Sequence, residues 1–246
     1  MIRTERTLPL LVLAMALAAC SDGPGQASGP RGGADGKLHY GEIAFEPCAL
    51  SAGGNLSVEA QCATVPVPED HDAPDGRQIE LAVAFVPASG MAEPDPVYMI
   101  AGGPGQSALE SYPGLHAAFR DVRRNRHVVL VDARGTGKSN PLHCRMDEDD
   151  ELFSDPSAET PEAMRAFAER CRDALAGTAD LRLYTTGDHI RDLDWVRGKL
   201  GVERINLVGV SYGTRVAQQY AATFPRHTRA LVLDSVAPNT LVLGQE

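Results

Sequence analysis

Five residues, Gly209-Val210-Ser211-Tyr212-Gly213, have the types and spacing needed for acyl transfer through a serine hydroxyl. In a Gly-x-Ser-x-Gly elbow a buried strand turns sharply into a helix, and the serine sits at the apex. Gly209 and Gly213 are required because strand and helix come so close that a Cβ at either place would collide. The bend strains the backbone at Ser211 and lifts its hydroxyl off the sheet edge, while the helix behind it aims free N–H groups at the same spot. The flanks agree with this. Arg204 to Val208 is a short, largely apolar strand, and from Arg215 to Thr223 nothing breaks a helix before Pro225.

Attack on a carbonyl puts negative charge on its oxygen, so two fixed N–H donors are wanted nearby. One is the amide of the residue after the nucleophile, Tyr212. The other is expected from the turn Ala101-Gly102-Gly103-Pro104-Gly105, which follows an apolar strand. Gly103 is the candidate, since Pro104 has no N–H and glycine allows close backbone approach. A third glycine turn, Asp132 to Ser139, ends in Gly137-Lys138-Ser139 like a phosphate loop. The glycine that such a loop needs first is replaced by Asp132, and Asn140 stands where a Gly-x-Gly-x-x-Gly would close. Nucleotide binding is therefore excluded. The net charge of −10 excludes nucleic acid as a partner. No cofactor is implied, and no Cys-x-x-Cys suggests a metal.

The elements that must position these turns alternate. Strands are expected at Gln78–Val86, Pro96–Ile100, Val128–Val131, Arg204–Val208 and Ala230–Leu233. Helices are expected over Leu115–Arg124, from Thr160 (capping, with Pro161 first) to Gly177, over Thr186–Leu200, and behind the elbow. Met164, Phe167, Cys171 and Leu175 share one face of the second; Ile190, Leu193 and Val196 point inward from the third. Strands alternating with helices imply an α/β fold with a mostly parallel sheet. The acidic run Asp147–Glu151 reads as a solvated loop. With 43% hydrophobic and 23% charged residues in 246, the chain is of globular type.

Residues 1–19 read as a signal peptide, with Arg3 and Arg6 ahead of an apolar run from Leu8 to Ala19 that is too short to span a bilayer. Leu17-Ala18-Ala19-Cys20 resembles a bacterial lipobox, which makes Cys20 the lipidated residue and places the chain in the cell envelope. Ser21 rather than Asp follows Cys20, which leans toward the outer membrane. Residues 20–37, rich in Gly, Pro, Ser and Asp, read as a flexible tether, and 38–246 as the catalytic core. Four cysteines then remain, suggesting two disulfides in an exported protein. Proximity favours Cys48–Cys62 with Cys144–Cys171, although three pairings are open.

Taken in order, Gly102-Gly103-Pro104-Gly105-Gln106-Ser107, Asp132-x-Arg134-Gly135-x-Gly137-x-Ser139, Tyr184-Thr185-Thr186 and Gly209-x-Ser211-Tyr212-Gly213 resemble the prolyl iminopeptidase and tripeptidyl aminopeptidase family of α/β-hydrolases over about Tyr40 to Asn239. The resemblance implies a serine exopeptidase that removes N-terminal residues or short peptides, with Ser211 as nucleophile and Gly103 and Tyr212 as oxyanion donors. Ala101 departs from the histidine usual before that family's Gly-Gly-Pro-Gly. The fold's chain order is Ser, Asp, His, yet only His227 and Asp234 follow Ser211. His227 is expected at the wrong end of the sheet, and Asp234 on too early a strand. His143, near the catalytic edge, breaks the order. The chain thus reads as the N-terminal part of a longer enzyme, without the last strands, the helical cap or the triad's Asp and His, and inactive by itself. An esterase of small acyl esters and a non-catalytic envelope lipoprotein are the alternatives.

Overall fold

The computed structural model describes residues 29–53, 56–144 and 160–240. The signal peptide, Cys20 and the acidic run Asp147–Glu151 lie outside them. Nine strands occur among the described residues: β1 (Arg31–Gly32), β2 (Leu38–Tyr40), β3 (Ile43–Ser51), β4 (Ser57–Pro68), β5 (Gln78–Val86), β6 (Val97–Ile100), β7 (Val128–Val131), β8 (Ile205–Val210) and β9 (Thr228–Asp234). Four α-helices accompany them: α1 (Ala108–Leu115), α2 (Pro161–Leu175), α3 (Thr186–Lys199) and α4 (Tyr212–Thr223).

One sheet holds every strand, in the order β1-β2-β3-β4-β5-β7-β6-β8-β9. The central block β7-β6-β8-β9 is parallel throughout. The five N-terminal strands extend it as an antiparallel meander that joins through β5 and β7. Strands β6 and β7 read as unbroken apolar runs because both of their faces are covered. Val83, Phe85, Tyr98, Ile100, Val129 and Val131 pack toward α3 and α4. Ala84, Val86, Val97, Met99, Val128 and Leu130 pack on the opposite face with α1.

Chain direction decides where the site lies. From β6 the chain crosses to β7 on one side, then returns to β8 on the other. The carboxyl ends of β6 and β8 therefore flank a switch point, where an open α/β sheet leaves a crevice. The three glycine turns follow β6, β7 and β8 and converge there.

Two expectations need correction. The helix expected over Leu115–Arg124 lies earlier, at Ala108–Leu115, with only a short 3-10 turn at Val122–Arg124. Ser107 caps the helix by accepting the Glu110 N–H at 3.0 Å. Pro113 falls in the last turn, where its missing N–H costs one bond near an end. The tether is also shorter than expected. Arg31 and Gly32 pair with His39 and Leu38 across a turn closed by the Gly33 N–H on the Lys37 carbonyl at 2.8 Å.

Strands β1–β4 escaped the sequence reading because one side of the meander faces solvent and β4 carries Pro66 and Pro68. The β3–β4 pair is stapled by Cys48–Cys62, and Cys144–Cys171 ties α2 to the segment after β7, the pairing that proximity favoured. Replacing Cys48 and Cys62 together by alanine is expected to cost about 2–3 kcal/mol, chiefly by loosening the unfolded chain. A urea midpoint compared with and without reductant measures it.

Candidate active site

Strand β8 delivers the chain to Ser211, whose backbone (φ 53°, ψ −121°) lies outside the ordinary helical and extended regions. A conformation of this kind costs on the order of 1–3 kcal/mol and persists only where its surroundings impose it. Three contacts impose it here. The Ser211 N–H donates to the Asp234 carbonyl at 2.9 Å, and the Ser211 carbonyl accepts from the Thr214 N–H at 2.9 Å and the Thr214 hydroxyl at 2.6 Å. A Cβ on Gly209 would lie 2.6 Å from the Gly213 carbonyl carbon, and one on Gly213 would lie 2.7 Å from the Ala101 carbonyl oxygen. Both glycines are thus required by contact. Ser211 itself is exposed, and its hydroxyl has no hydrogen-bond partner among the described residues.

The turn after β6 abuts this elbow. A Cβ on Gly102 would stand 3.0 Å from the Ser211 Cβ and 3.1 Å from the Val210 carbonyl oxygen. Gly103 has φ +101°, and its N–H is unpaired among the described residues, as is that of Tyr212. Both candidate oxyanion donors are therefore free, on two loops in contact beside an exposed hydroxyl. The Tyr212 ring is fixed separately, by a short hydrogen bond between its hydroxyl and that of Thr186 at the start of α3.

Asp132, passed over in the sequence as a failed phosphate-loop glycine, locks the turns together. Its buried carboxylate accepts from the Ser107 hydroxyl at 2.7 Å and the Leu109 N–H at 3.1 Å on the β6 side. On its own turn it accepts from the Lys138 N–H at 3.2 Å. Ser139, fully buried, accepts the Ala82 N–H at 2.9 Å. Arg134 is a second lock. Its guanidinium grips both Asp192 oxygens, at 2.7 and 2.6 Å, and donates to the carbonyls of Pro68, Glu69 and Leu183. His71 reaches the same carboxylate at 2.8 Å. The Asp-x-Arg-Gly spacing was the only sequence signal for either residue.

Among the described residues no imidazole is hydrogen-bonded to Ser211. His227 precedes β9, at the far end of the sheet, where its Nδ1 lies 2.7 Å from Asp194 Oδ1 and the Tyr220 hydroxyl joins them at 2.9 Å. Asp234 does stand beside the elbow, opposite Val210, but its carboxylate accepts from the neighbouring Ser235 hydroxyl at 3.1 Å. His143 is exposed and has no partner among the described residues.

His189, on α3, is buried, and burial pushes its pKa down to about 4. The folded protein keeps this ring neutral at pH values where the unfolded chain already takes up a proton. Stability from this source is complete above about pH 6.5 and is lost as the pH falls toward 4, by up to about 3 kcal/mol. Urea titrations at pH 7 and pH 4.5 should show a smaller acid loss in His189→Phe than in the parent.

The comparisons with known proteins agree with this geometry. At 34% identity over 213 residues the chain resembles the serine protease Hip1 of Mycobacterium tuberculosis, with 80% of the chain and 40% of that protein covered. It is 34% identical over 210 residues to tripeptidyl aminopeptidase of Streptomyces lividans (79% and 38% covered). It is 40% identical over 187 residues to carboxylesterase B of Mycobacterium tuberculosis (71% and 36% covered). The chain thus spans about two fifths of the length of these relatives. The alpha/beta hydrolase fold profile matches residues 95–245, from the strand before the glycine turn through the elbow and beyond. With a strained, exposed serine between a parallel strand and its helix, and with that profile over more than half its length, the chain belongs to the α/β-hydrolase fold family.

Proposed function

We propose that this chain carries the nucleophile and oxyanion half of a serine exopeptidase, which releases N-terminal residues or tripeptides from peptides through an acyl-enzyme. The reading rests on one observation above all: an exposed Ser211 at φ 53° with the unpaired N–H groups of Gly103 and Tyr212 on the two loops that meet there. In the proposed reaction Ser211 Oγ bonds to the scissile carbonyl carbon while its proton passes to an imidazole base. The carbonyl oxygen, now negative, accepts from the two amides. The leaving amine takes the proton as the C–N bond breaks, and water later releases the acyl group by the same route.

The base and its carboxylate partner are proposed to come from sequence outside the described residues, as the relatives' greater length suggests. By itself the chain is then a poor catalyst. The deciding experiment uses a version of the protein spanning the relatives' full length. It compares hydrolysis of Ala-Ala-Pro aryl amides, prolyl aryl amides and short aryl esters. Amide turnover supports the peptidase; no turnover of any of them rejects the hydrolase reading. Ester turnover alone selects the esterase, the second reading, which the carboxylesterase B relative favours. A non-catalytic lipoprotein would leave Ser211 unlabelled by a fluorophosphonate in every version.

The place of action is proposed as the bacterial envelope, through a lipid on Cys20, on the strength of the sequence Leu17-Ala18-Ala19-Cys20. Mass spectrometry of the amino-terminal peptide tests it: an acylated Cys20 is expected, and an unmodified one rejects the anchor.

A further inference from the structure

Two turns meet at Ser211, residues 102–106 after β6 and 209–213 after β8, and their polar side chains are those of Gln106, Ser211 and Tyr212. The Tyr212 hydroxyl is taken by Thr186. The Gln106 carboxamide and the Ser211 hydroxyl have no hydrogen-bond partner among the described residues, and both residues are exposed. They are also neighbours. A methyl group built on Gly102 would lie 3.0 Å from the Ser211 Cβ and 3.3 Å from Gln106 Oε1, so a single methyl there would touch both side chains.

The backbone of Gln106 is held in place from two directions. Its N–H donates to the Gly102 carbonyl at 3.4 Å, which closes the turn. The next residue, Ser107, caps α1 and donates its hydroxyl to the buried Asp132 carboxylate at 2.7 Å. From this base the side chain lies back over the turn, where a Cβ on Gly103 would stand 3.6 Å from Gln106 Cγ.

A carboxamide offers N–H donors and a carbonyl acceptor, and it carries no charge. The group that matches it best is another amide. An ammonium or a carboxylate is met more strongly by an opposite charge, and a simple ester has no N–H to give. A peptide whose scissile carbonyl carbon sits at Ser211 Oγ has its next peptide group one residue away, about 3.5 Å along the chain. That is within reach of a side chain so close to the nucleophile.

We propose that Gln106 is a substrate-binding residue, pairing with a peptide group beside the scissile bond, and that it makes this site prefer peptides to simple esters. The proposal rests on the serine-hydrolase reading and names the substrate class within it. A simple ester can still place its carbonyl oxygen on the two backbone amides; a peptide gains Gln106 as well.

The experiment uses the version spanning the relatives' full length and compares the parent with Gln106→Leu. Leucine keeps much of the bulk and removes both the donors and the acceptor. Because Gln106 is exposed and its side chain bonds to nothing among the described residues, the variant should melt like the parent. Each protein is assayed on an Ala-Ala-Pro aryl amide and on an aryl acetate, which contains no peptide group. Gln106→Leu is expected to lose about tenfold in kcat/KM on the tripeptidyl amide, the worth of one hydrogen bond whose partner is left unpaired. Its rate on the acetate should stay that of the parent. Equal losses on both substrates would trace the effect to the turn or its oxyanion amides and overturn the proposal, as would an amide rate equal to the parent's. A parent that cleaves neither substrate, or the acetate alone, sinks the peptidase reading itself and this proposal with it. The parent's own rates therefore tell the two failures apart.

Discussion

On the proposed reading, Ser211→Ala is expected to abolish turnover in a version spanning the relatives' full length, with kcat down by about 10⁶-fold, the scale reached when a triad hydrolase loses its nucleophile. The size of the effect follows from the chemistry. Every later step requires the bond from Ser211 Oγ to the acyl carbon. What remains is the background from two oxyanion amides and binding alone. Alanine is as constrained as serine at φ 53°, ψ −121°, so folding stability should hardly change. The hydroxyl also bonds to nothing among the described residues, which leaves no contact to lose. The measurement pairs steady-state kinetics on an amide substrate with a thermal melt. Residual turnover above about 1% of the parent, with an unchanged melt, would remove Ser211 from the role of nucleophile.

Gly213→Ala is expected to destabilise the fold by about 4 kcal/mol, near the upper end for a single substitution. The added methyl would sit 2.7 Å from the Ala101 carbonyl oxygen and 2.9 Å from the Ile100 carbonyl carbon. Those atoms belong to the end of β6, a fully buried strand between β7 and β8, so they cannot yield without shifting the sheet. The alternative is for α4 to lift away. That would break the packing of Val216, Ala217 and Tyr220, all buried against the sheet. A glycine in an exposed helix would gain up to about 1 kcal/mol from the same change. Gly187, with its nearest side-chain atom at 3.5 Å, provides that control in α3. Urea unfolding of the two variants separates the steric effect from helix propensity. Equal stabilities would show that the elbow tolerates a side chain where strand and helix cross.

Much of the architecture was legible because local rules and burial agree there. Strand β7 is apolar along its length because it lies between layers of helices, and its limits follow from composition alone. The α3 helix, capped by Thr185 and Asp188 in a reciprocal box and stopped by Gly201, was equally plain. The errors arose where a long-range contact overrode a local signal. Pro113-Gly114 ends a helix in isolation; here Ser107 and Asp132 fix the helix start, so that Pro113 falls harmlessly in its last turn. The β1–β4 meander has one solvated face, so its alternation is diluted by polar residues and prolines. Its pairing is decided by partners far along the chain.

What the residues alone determined is the chemistry on offer: one serine between two glycines, a glycine turn with a free amide, and strands alternating with helices. Spacing suffices for these because backbone contacts a few residues apart create the elbow. What only the tertiary structure decided is how the turns are held together. Asp132 joins two loops, Arg134 and Asp192 meet from 58 residues apart, and His189 comes to rest behind the β6 turn. None of these contacts leaves a periodic trace in the chain, since a buried polar group is chosen by the partner it meets after folding.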